Sequence, residues 1–282
     1  MNIRIIPRLD IKGPNLVKGI HLEGLRVLGR PEECARFYYE NGADELIYMD
    51  IVASLYNRNM LGDLISRTAR QIFIPLTVGG GIRTIEDVRN VLRAGADKVA
   101  INTAALKSPS LVEEAARRFG SSTIVVAIEA MKRRDGGYNA YTDNGRNDGG
   151  VDVVEWARRV EDLGAGEILL TSIDAEGTGR GFDTKLIRDI VSAVNVPVIA
   201  HGGAGTLSHI ADAVRAGPSA IALASMLHYE YIQHRRTASN AEGNVAFLTS
   251  GNSFGAVTPA TIAQVKAHLR TDVRARPHGG AS

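Results

Sequence analysis

Residues 75–104 align with residues 197–226 without a gap, and this internal match constrains the fold more than any other feature of the chain. Pro75 falls on Pro197, Gly80 and Gly81 on Gly202 and Gly203, Thr84 on Thr206, and Arg93-Ala94-Gly95 on Arg215-Ala216-Gly217. The same offset of 122 residues brings Gly42-Ala43 onto Gly164-Ala165 and Glu45 onto Glu167. Unrelated strand–helix units share Gly and Ala by chance. A single offset that holds over two separated segments argues instead for one unit that occurs twice.

Eight short apolar runs carry that unit. They occupy residues 3–9, 45–51, 74–78, 98–101, 123–128, 167–172, 196–200 and 220–224. Most are continuously apolar, as befits strands buried on both faces of a parallel sheet. Helical stretches with recognisable ends lie between them. Thr84 reads as an N-cap with Asp87 in the first turn, and Ser108-Pro109 puts proline at a first helical position. Gly42, Gly95, Gly164 and Gly217 end helices. Strand and helix alternating eight times predict an α/β fold, a (β/α)8 TIM barrel built from two half-barrel repeats. A doubly wound open sheet is the competing topology. The 282 residues suit one barrel domain spanning 1–282. Two segments break the rhythm. One is a polar, glycine-rich insertion at about 233–257, before a last helix near Thr258-Pro259. The other is a tail at about 275–282, expected to be disordered.

Composition narrows the function classes. The charges nearly cancel, 33 Lys+Arg against 31 Asp+Glu, which argues against a nucleic-acid binder. Cys34 is the only cysteine, so no disulfide framework exists within the chain. The start has no long apolar run, and no stretch approaches the length of a membrane span. The expectation is a soluble, cytoplasmic protein with no membrane partner, no cofactor and no metal.

Chemistry on a barrel gathers at the C-terminal ends of its strands. The first strand ends at Asp10 and the fifth at Glu129, near-equivalents under the repeat. Two carboxylates facing each other can act as general acid and general base if their surroundings separate their proton affinities. Taken singly, either could merely cap a loop. Val78-Gly79-Gly80-Gly81 and His201-Gly202-Gly203 end the third and seventh strands, each before a threonine-capped helix. Such turns bring backbone N–H groups close to an anion. The partner strands end in Asn102-Thr103 and Ala224-Ser225, which can add hydrogen bonds. Two related sites imply a small substrate with a phosphate at each end. Asp174 and Gly177, after the sixth strand, lie near the second site. The segment 12–24 carries Lys18 and reads as a long loop able to close over substrate. Arg4, Glu45, Lys98 and Glu167 all fall at strand starts, and by spacing alone form an ion-pair plug at the barrel bottom.

These stretches (IIPRLDIK, GADELIYMDI, FIPLTVGGGI, GADKVAINTAA, GAGEILLTSID, PVIAHGGAG and ALAS among them) closely resemble the cyclase subunit of imidazole glycerol phosphate synthase, a lyase of histidine biosynthesis. The resemblance spans nearly residues 3–228. It implies a barrel of two half-barrels with a glutaminase subunit docked at its N-terminal face as a heterodimer. Ammonia would pass through the barrel to a bisphosphorylated ribulosyl-aminoimidazole carboxamide nucleotide. The products would be imidazole glycerol phosphate and aminoimidazole carboxamide ribotide. It further implies that Asp10 and Glu129 are the catalytic pair and that Lys18 belongs to the first loop. Gly81, Asn102 and Thr103 would hold one phosphate, and Gly203, Ala224 and Ser225 the other. Arg4, Glu45, Lys98 and Glu167 become an ammonia gate rather than a plug. The chain departs from the family pattern at four residues and in the insertion after the eighth strand. Glu129 and Glu176 stand where aspartates are usual, Arg8 replaces a cysteine, and His201 replaces a small residue. Change at the catalytic pair also fits a paralogue that conducts ammonia to a third enzyme, one that amidinates a surface-polysaccharide sugar.

Overall fold

The computed structural model describes residues 3–20, 23–51, 62–235 and 256–275. Eight strands form one closed parallel ring: β1 (Arg4–Lys12), β2 (Leu46–Asp50), β3 (Leu76–Gly79), β4 (Lys98–Ile101), β5 (Ile124–Lys132), β6 (Glu167–Ser172), β7 (Val198–His201) and β8 (Ala220–Leu223). Each pairs with the next, and β8 pairs with β1 through Arg4↔Ala220 to Pro7↔Leu223. The β5–β6 pairing, Glu167↔Val125 to Ser172↔Ala130, joins the two halves. The fold is therefore a TIM barrel, and the open-sheet alternative is excluded by closure.

Helices surround the ring. They are α1 (Pro31–Glu40), α2 (Gly62–Ala69), α3 (Ile85–Ala94), α4 (Thr103–Lys107), α5 (Ser110–Phe119), α6 (Val153–Asp162), α7 (Thr184–Val191), α8 (Leu207–Arg215), α9 (Ser225–Arg235) and α10 (Ile262–Ala275). Local chemistry sets their ends. Thr84 and Asp87 form a reciprocal capping box at the start of α3, and the Thr206 side chain accepts the His209 N–H at the start of α8. Gly42, Gly95, Gly164 and Gly217 all take positive φ after helices, the left-handed conformation that glycine adopts without strain.

Strand residues divide between two apolar clusters. Ile5, Leu9, Leu46, Val99, Ile124 and Ile168 pack outward against the helices. Alternate residues of the same strands, including Ile6, Ile47, Val125, Leu169 and Ile199, pack with one another inside the ring. On β1 this alternation sends Arg4, Ile6, Arg8 and Asp10 inward, from barrel bottom to barrel mouth. The six-residue rise from Arg4 to Asp10 spans roughly 20 Å.

Two antiparallel ribbons extend the ring at the mouth. One, Asn15–Ile20 and Glu23–Gly29, continues β1 through a two-residue turn at Gly13-Pro14, with Gly13 at φ +63°. The segment read as a long loop is thus a β-ribbon, held by main-chain pairing to β1 and by Val17 packing with the interior cluster. The other, Tyr138–Thr142 and Asn147–Asp152, continues β5. Each half therefore opens with a nine-residue strand that turns back into a ribbon.

The atypical segments are only partly within the described residues. Helix α9 runs to Arg235, and Val257 is buried against the backbone near Gly179. The insertion between them, 236–255, and the tail beyond residue 275 lie outside the described residues.

Gly80 has φ +97°, and a Cβ there would stand 2.2 Å from the Asp50 carbonyl oxygen. Gly42 has φ +86° but open space around it. Gly42→Ala is expected to cost about 1 kcal/mol and Gly80→Ala about 3 kcal/mol or more, read from urea midpoints. Equal losses would contradict the close approach of the Gly80 turn to β2.

Candidate active site

Asp10 and Glu129 occupy matching positions. Asp10 sits beside Met49 on β2 and Glu129 beside Thr171 on β6, and those neighbours are themselves 122 residues apart. Both carboxylates are buried near the ends of their strands. Their surroundings differ. Asp10 Oδ1 accepts from Arg8 Nε at 2.9 Å. Glu129 Oε2 accepts the Gly145 N–H at 2.8 Å, from the turn of the second ribbon. Burial pushes the Glu129 carboxyl up from 4.5 to about 7. Arg8 and the Gly145 N–H oppose that rise, while Asp10 and Asp143 add to it. A carboxyl balanced near neutrality can give and take a proton in one cycle.

A cavity of about 440 Å³ opens beside Glu129 in the first half. Gly81, Asn102 and Thr103 line it, together with Asp50, Arg83 and Lys107. Asn102 and Thr103 also build the site. Asn102 Nδ2 donates to the carbonyls of Ala127 and Tyr141 at 3.0 and 3.2 Å, and Thr103 Oγ1 accepts the Asp143 N–H at 2.9 Å. These bonds pin the second ribbon over the cavity. Its turn passes through Asp143, Asn144 and Gly145, all at positive φ. Asp143 and Asn144 line the cavity and were not among the residues singled out from sequence. The signal was present: Asn144-Gly145 follows the alternating Tyr138-Asn139-Ala140-Tyr141, a hairpin pattern.

In the second half, Gly203 takes φ +105° against the carbonyl of Gly181, where a Cβ would come within 2.0 Å. Ala224 and Ser225 are buried at the junction of β8 and α9. Gly177, at φ +73°, turns the loop after β6. These residues lie outside the lining of the first-half cavity. Lys18, on the first ribbon, is buried and forms a close ion pair with Glu176, and it also donates to the Gly19 carbonyl at 2.8 Å. Asp174 is exposed, and its Oδ2 accepts the Lys132 N–H at 2.9 Å. Of the two acidic residues after β6, Glu176 is the buried one, and Asp174 braces the end of β5.

The opposite end of the barrel carries a closed ring of charge. Arg4 binds Glu45 at 2.6 Å and Glu167 at 2.5 Å, and Lys98 binds the same two carboxylates at 3.0 and 2.9 Å. Each carboxylate takes one bond from each cation, so the four side chains alternate in sign. Burial disfavours the charge on Arg4 and Lys98, but the two glutamates outweigh it and hold both above their ordinary values. Above this ring the lumen is lined by Ile6, Ile47, Val125 and Leu169. A neutral molecule crosses such a layer far more easily than an ion.

A closed parallel barrel with two buried carboxylates and a cavity at its mouth, and a charge ring at its base, has the architecture of an α/β-barrel enzyme. The comparisons with known proteins sharpen that class. The model of the histidine biosynthesis protein family matches residues 4–233. The imidazole glycerol phosphate synthase subunit HisF of Legionella pneumophila is 61% identical over 206 residues, covering 73% of this chain and 97% of that protein. The subunit of the same name from Thermobifida fusca (strain YX) is 50% identical over 232 residues, covering 80% and 91%. The chain belongs to the histidine-biosynthesis family and, within it, to the cyclase subunits of imidazole glycerol phosphate synthase, which are lyases.

Between about pH 4.5 and 7 the folded protein keeps a proton on Glu129 that the unfolded chain releases. The stabilising contribution of this group is full below pH 4.5 and lost as pH rises through 7, on the order of 3 kcal/mol in all. Glu129→Gln removes the ionisation and retains an oxygen for the Gly145 N–H. Its melting temperature relative to the native protein is expected to rise from pH 5 to pH 8. A difference that stays flat with pH would contradict the raised Glu129 carboxyl.

Proposed function

We propose that Asp10 and Glu129 are the acid/base pair of the cyclase reaction. Ammonia reaches them along the barrel axis from a glutaminase subunit docked at the N-terminal face. The substrate is the bisphosphorylated ribulosyl-aminoimidazole carboxamide nucleotide. It is converted with ammonia to imidazole glycerol phosphate and aminoimidazole carboxamide ribotide. One phosphate lies at Gly81, Asn102 and Thr103. The other lies at Gly203, Ala224 and Ser225, with Lys18 and Gly177 at the rim. The observation that carries this reading is the pairing of two buried carboxylates at matched strand positions with unlike environments.

Adding ammonia to a carbonyl requires a proton delivered to oxygen and protons removed from nitrogen. Releasing an amine-linked leaving group again requires an acid. A guanidinium-paired carboxylate and a carboxyl near neutrality divide that work. The longer side chain of Glu129, relative to aspartate, is fixed by the Gly145 N–H, so its reach is set by the second ribbon. At the other end, Arg4, Glu45, Lys98 and Glu167 admit ammonia by parting one of their four ion pairs. The barrel spans the chain as one domain, with the 233–257 region as an insertion. No helix among the described residues is long and apolar enough to cross a membrane. Membership of a histidine-biosynthesis family supports a cytoplasmic location.

Purified chain given the bisphosphate substrate and an ammonium salt is expected to form imidazole glycerol phosphate, measured by chromatography. Asp10→Asn should lower the rate by about 10²- to 10⁴-fold. Absence of turnover, with glutaminase still activated on mixing, would favour the conduit reading instead.

Lys98→Met, which opens the charge ring, should lower the glutamine-driven rate severalfold and leave the ammonium-driven rate near its native value. Equal losses on both nitrogen sources would remove Lys98 from the ammonia route.

A further inference from the structure

Among the described residues Arg8 is the largest charged side chain that is buried, at 1% exposure, and it lies inside the barrel between the charge ring and the mouth. Its Nε donates to Asp10, and its Nη1 to Thr171 Oγ1 and His201 Nδ1, both at 3.2 Å. Its Nη2 is buried with no hydrogen-bond partner among the described residues. A guanidinium only donates, so His201 accepts at Nδ1 and is uncharged. Burial first, then Arg8 and Lys18, hold its imidazole well below the ordinary value. Burying a guanidinium with an unsatisfied N–H is costly, and an aliphatic side chain would fill the same space without that cost.

Of the cations near the two carboxylates, Arg8 is the one that is hydrogen-bonded to either, among the described residues. Lys18, facing in from the first ribbon, is engaged by Glu176. His228, on α9, is bonded to the Tyr38 hydroxyl at 2.6 Å and is pushed down to about 4 by burial. Asp143, on the second ribbon, is paired with Lys107.

We propose that Arg8 is a positioning residue that commits Asp10 to the base role and leaves Glu129 to serve as the acid. The proposal rests on the acid/base reading above. It gives a physical reason for a buried charge that the barrel's stability does not require. The two half-barrels place equivalent carboxylates at equivalent points, and a guanidinium bonded to only one of them makes the pair unequal.

The test compares the full chain with Arg8→Met and Arg8→Lys, each with the glutaminase subunit. The readout is the pH dependence of kcat/KM, with rates expressed per free ammonia where ammonium is the nitrogen source. Loss of the cation makes the Glu129 carboxyl harder to ionise. The basic limb of the profile should therefore move to higher pH by about one unit in Arg8→Met, with kcat falling more than KM rises. Arg8→Lys should return that limb toward its native position. Undiminished glutaminase activation would show that each variant is folded. An unmoved basic limb would overturn the proposal, as would a loss equal at every pH that lysine does not rescue. If the native chain itself fails to turn over, the cyclase reading falls alone. The Glu129 titration, followed through the pH dependence of melting against Glu129→Gln, still decides the role of Arg8. It should move above about 7 in Arg8→Met, and a fixed titration would refute the proposal.

Discussion

Closure of the parallel ring is the constraint on which the rest of the structure depends. Once β5 pairs with β6 and β8 with β1, every second strand residue faces a lumen with no exit except the two ends. On β1 that places Arg4, Ile6, Arg8 and Asp10 in one column. A charge ring, an aliphatic layer, a buried guanidinium and a carboxylate then follow in order along about 20 Å. None of these could be moved to a neighbouring position without turning outward onto the helices.

The repeat, the eight strands and the glycine-ended helices were legible because each is written in local chemistry. Apolar runs of strand length, Thr84 and Thr206 as caps, and glycines at positive φ carry their own explanation. The repeat also foretold that Asp10 and Glu129 would be equivalent, and the strand registers agree. The two ribbons were less legible. The segment around Lys18 carries Leu16, Val17, Ile20, Leu25 and Val27, residues that suit strands, but its place between the first strand and the first helix reads as a connection, and only its pairing with β1 shows the ribbon. The second ribbon did carry a turn signal at Asn144-Gly145, but its function appears only when Gly145 reaches Glu129. Asp174 accepts the Lys132 N–H at one carboxylate oxygen, a link to the end of β5 that its place after β6 did not announce.

Ion pairs at the two ends of the lumen obey different physics. The basal ring is partly exposed, with Arg4 at 28% and Lys98 at 19% of their side-chain surface, so water compensates when one contact opens. Two cations shared between two carboxylates also leave neither glutamate unpaired when a single bond breaks. The Arg8–Asp10 pair has no such reserve, being 1% and 4% exposed. Breaking it from one side strands a buried charge, which costs several kcal/mol. The basal ion pairs are thus cheaper to break one at a time than the Arg8–Asp10 pair.

That difference bears on why a symmetric scaffold can perform an asymmetric reaction. Strands β1 and β5 place two carboxylates at matching register positions, each strand runs on into a ribbon, and two glycine turns follow β3 and β7. Left alike, two carboxyls in one site would have no fixed assignment of acid and base. Symmetry is broken where it costs least in backbone geometry, at side chains inside an otherwise matched ring. Arg8 stands on β1, and its counterpart position on β5, two residues before Glu129, is the alanine Ala127. A guanidinium on β1 and a methyl group on β5 therefore make the two strands chemically unlike while their registers stay alike. His201, uncharged and accepting from Arg8, fixes the guanidinium without competing for the proton.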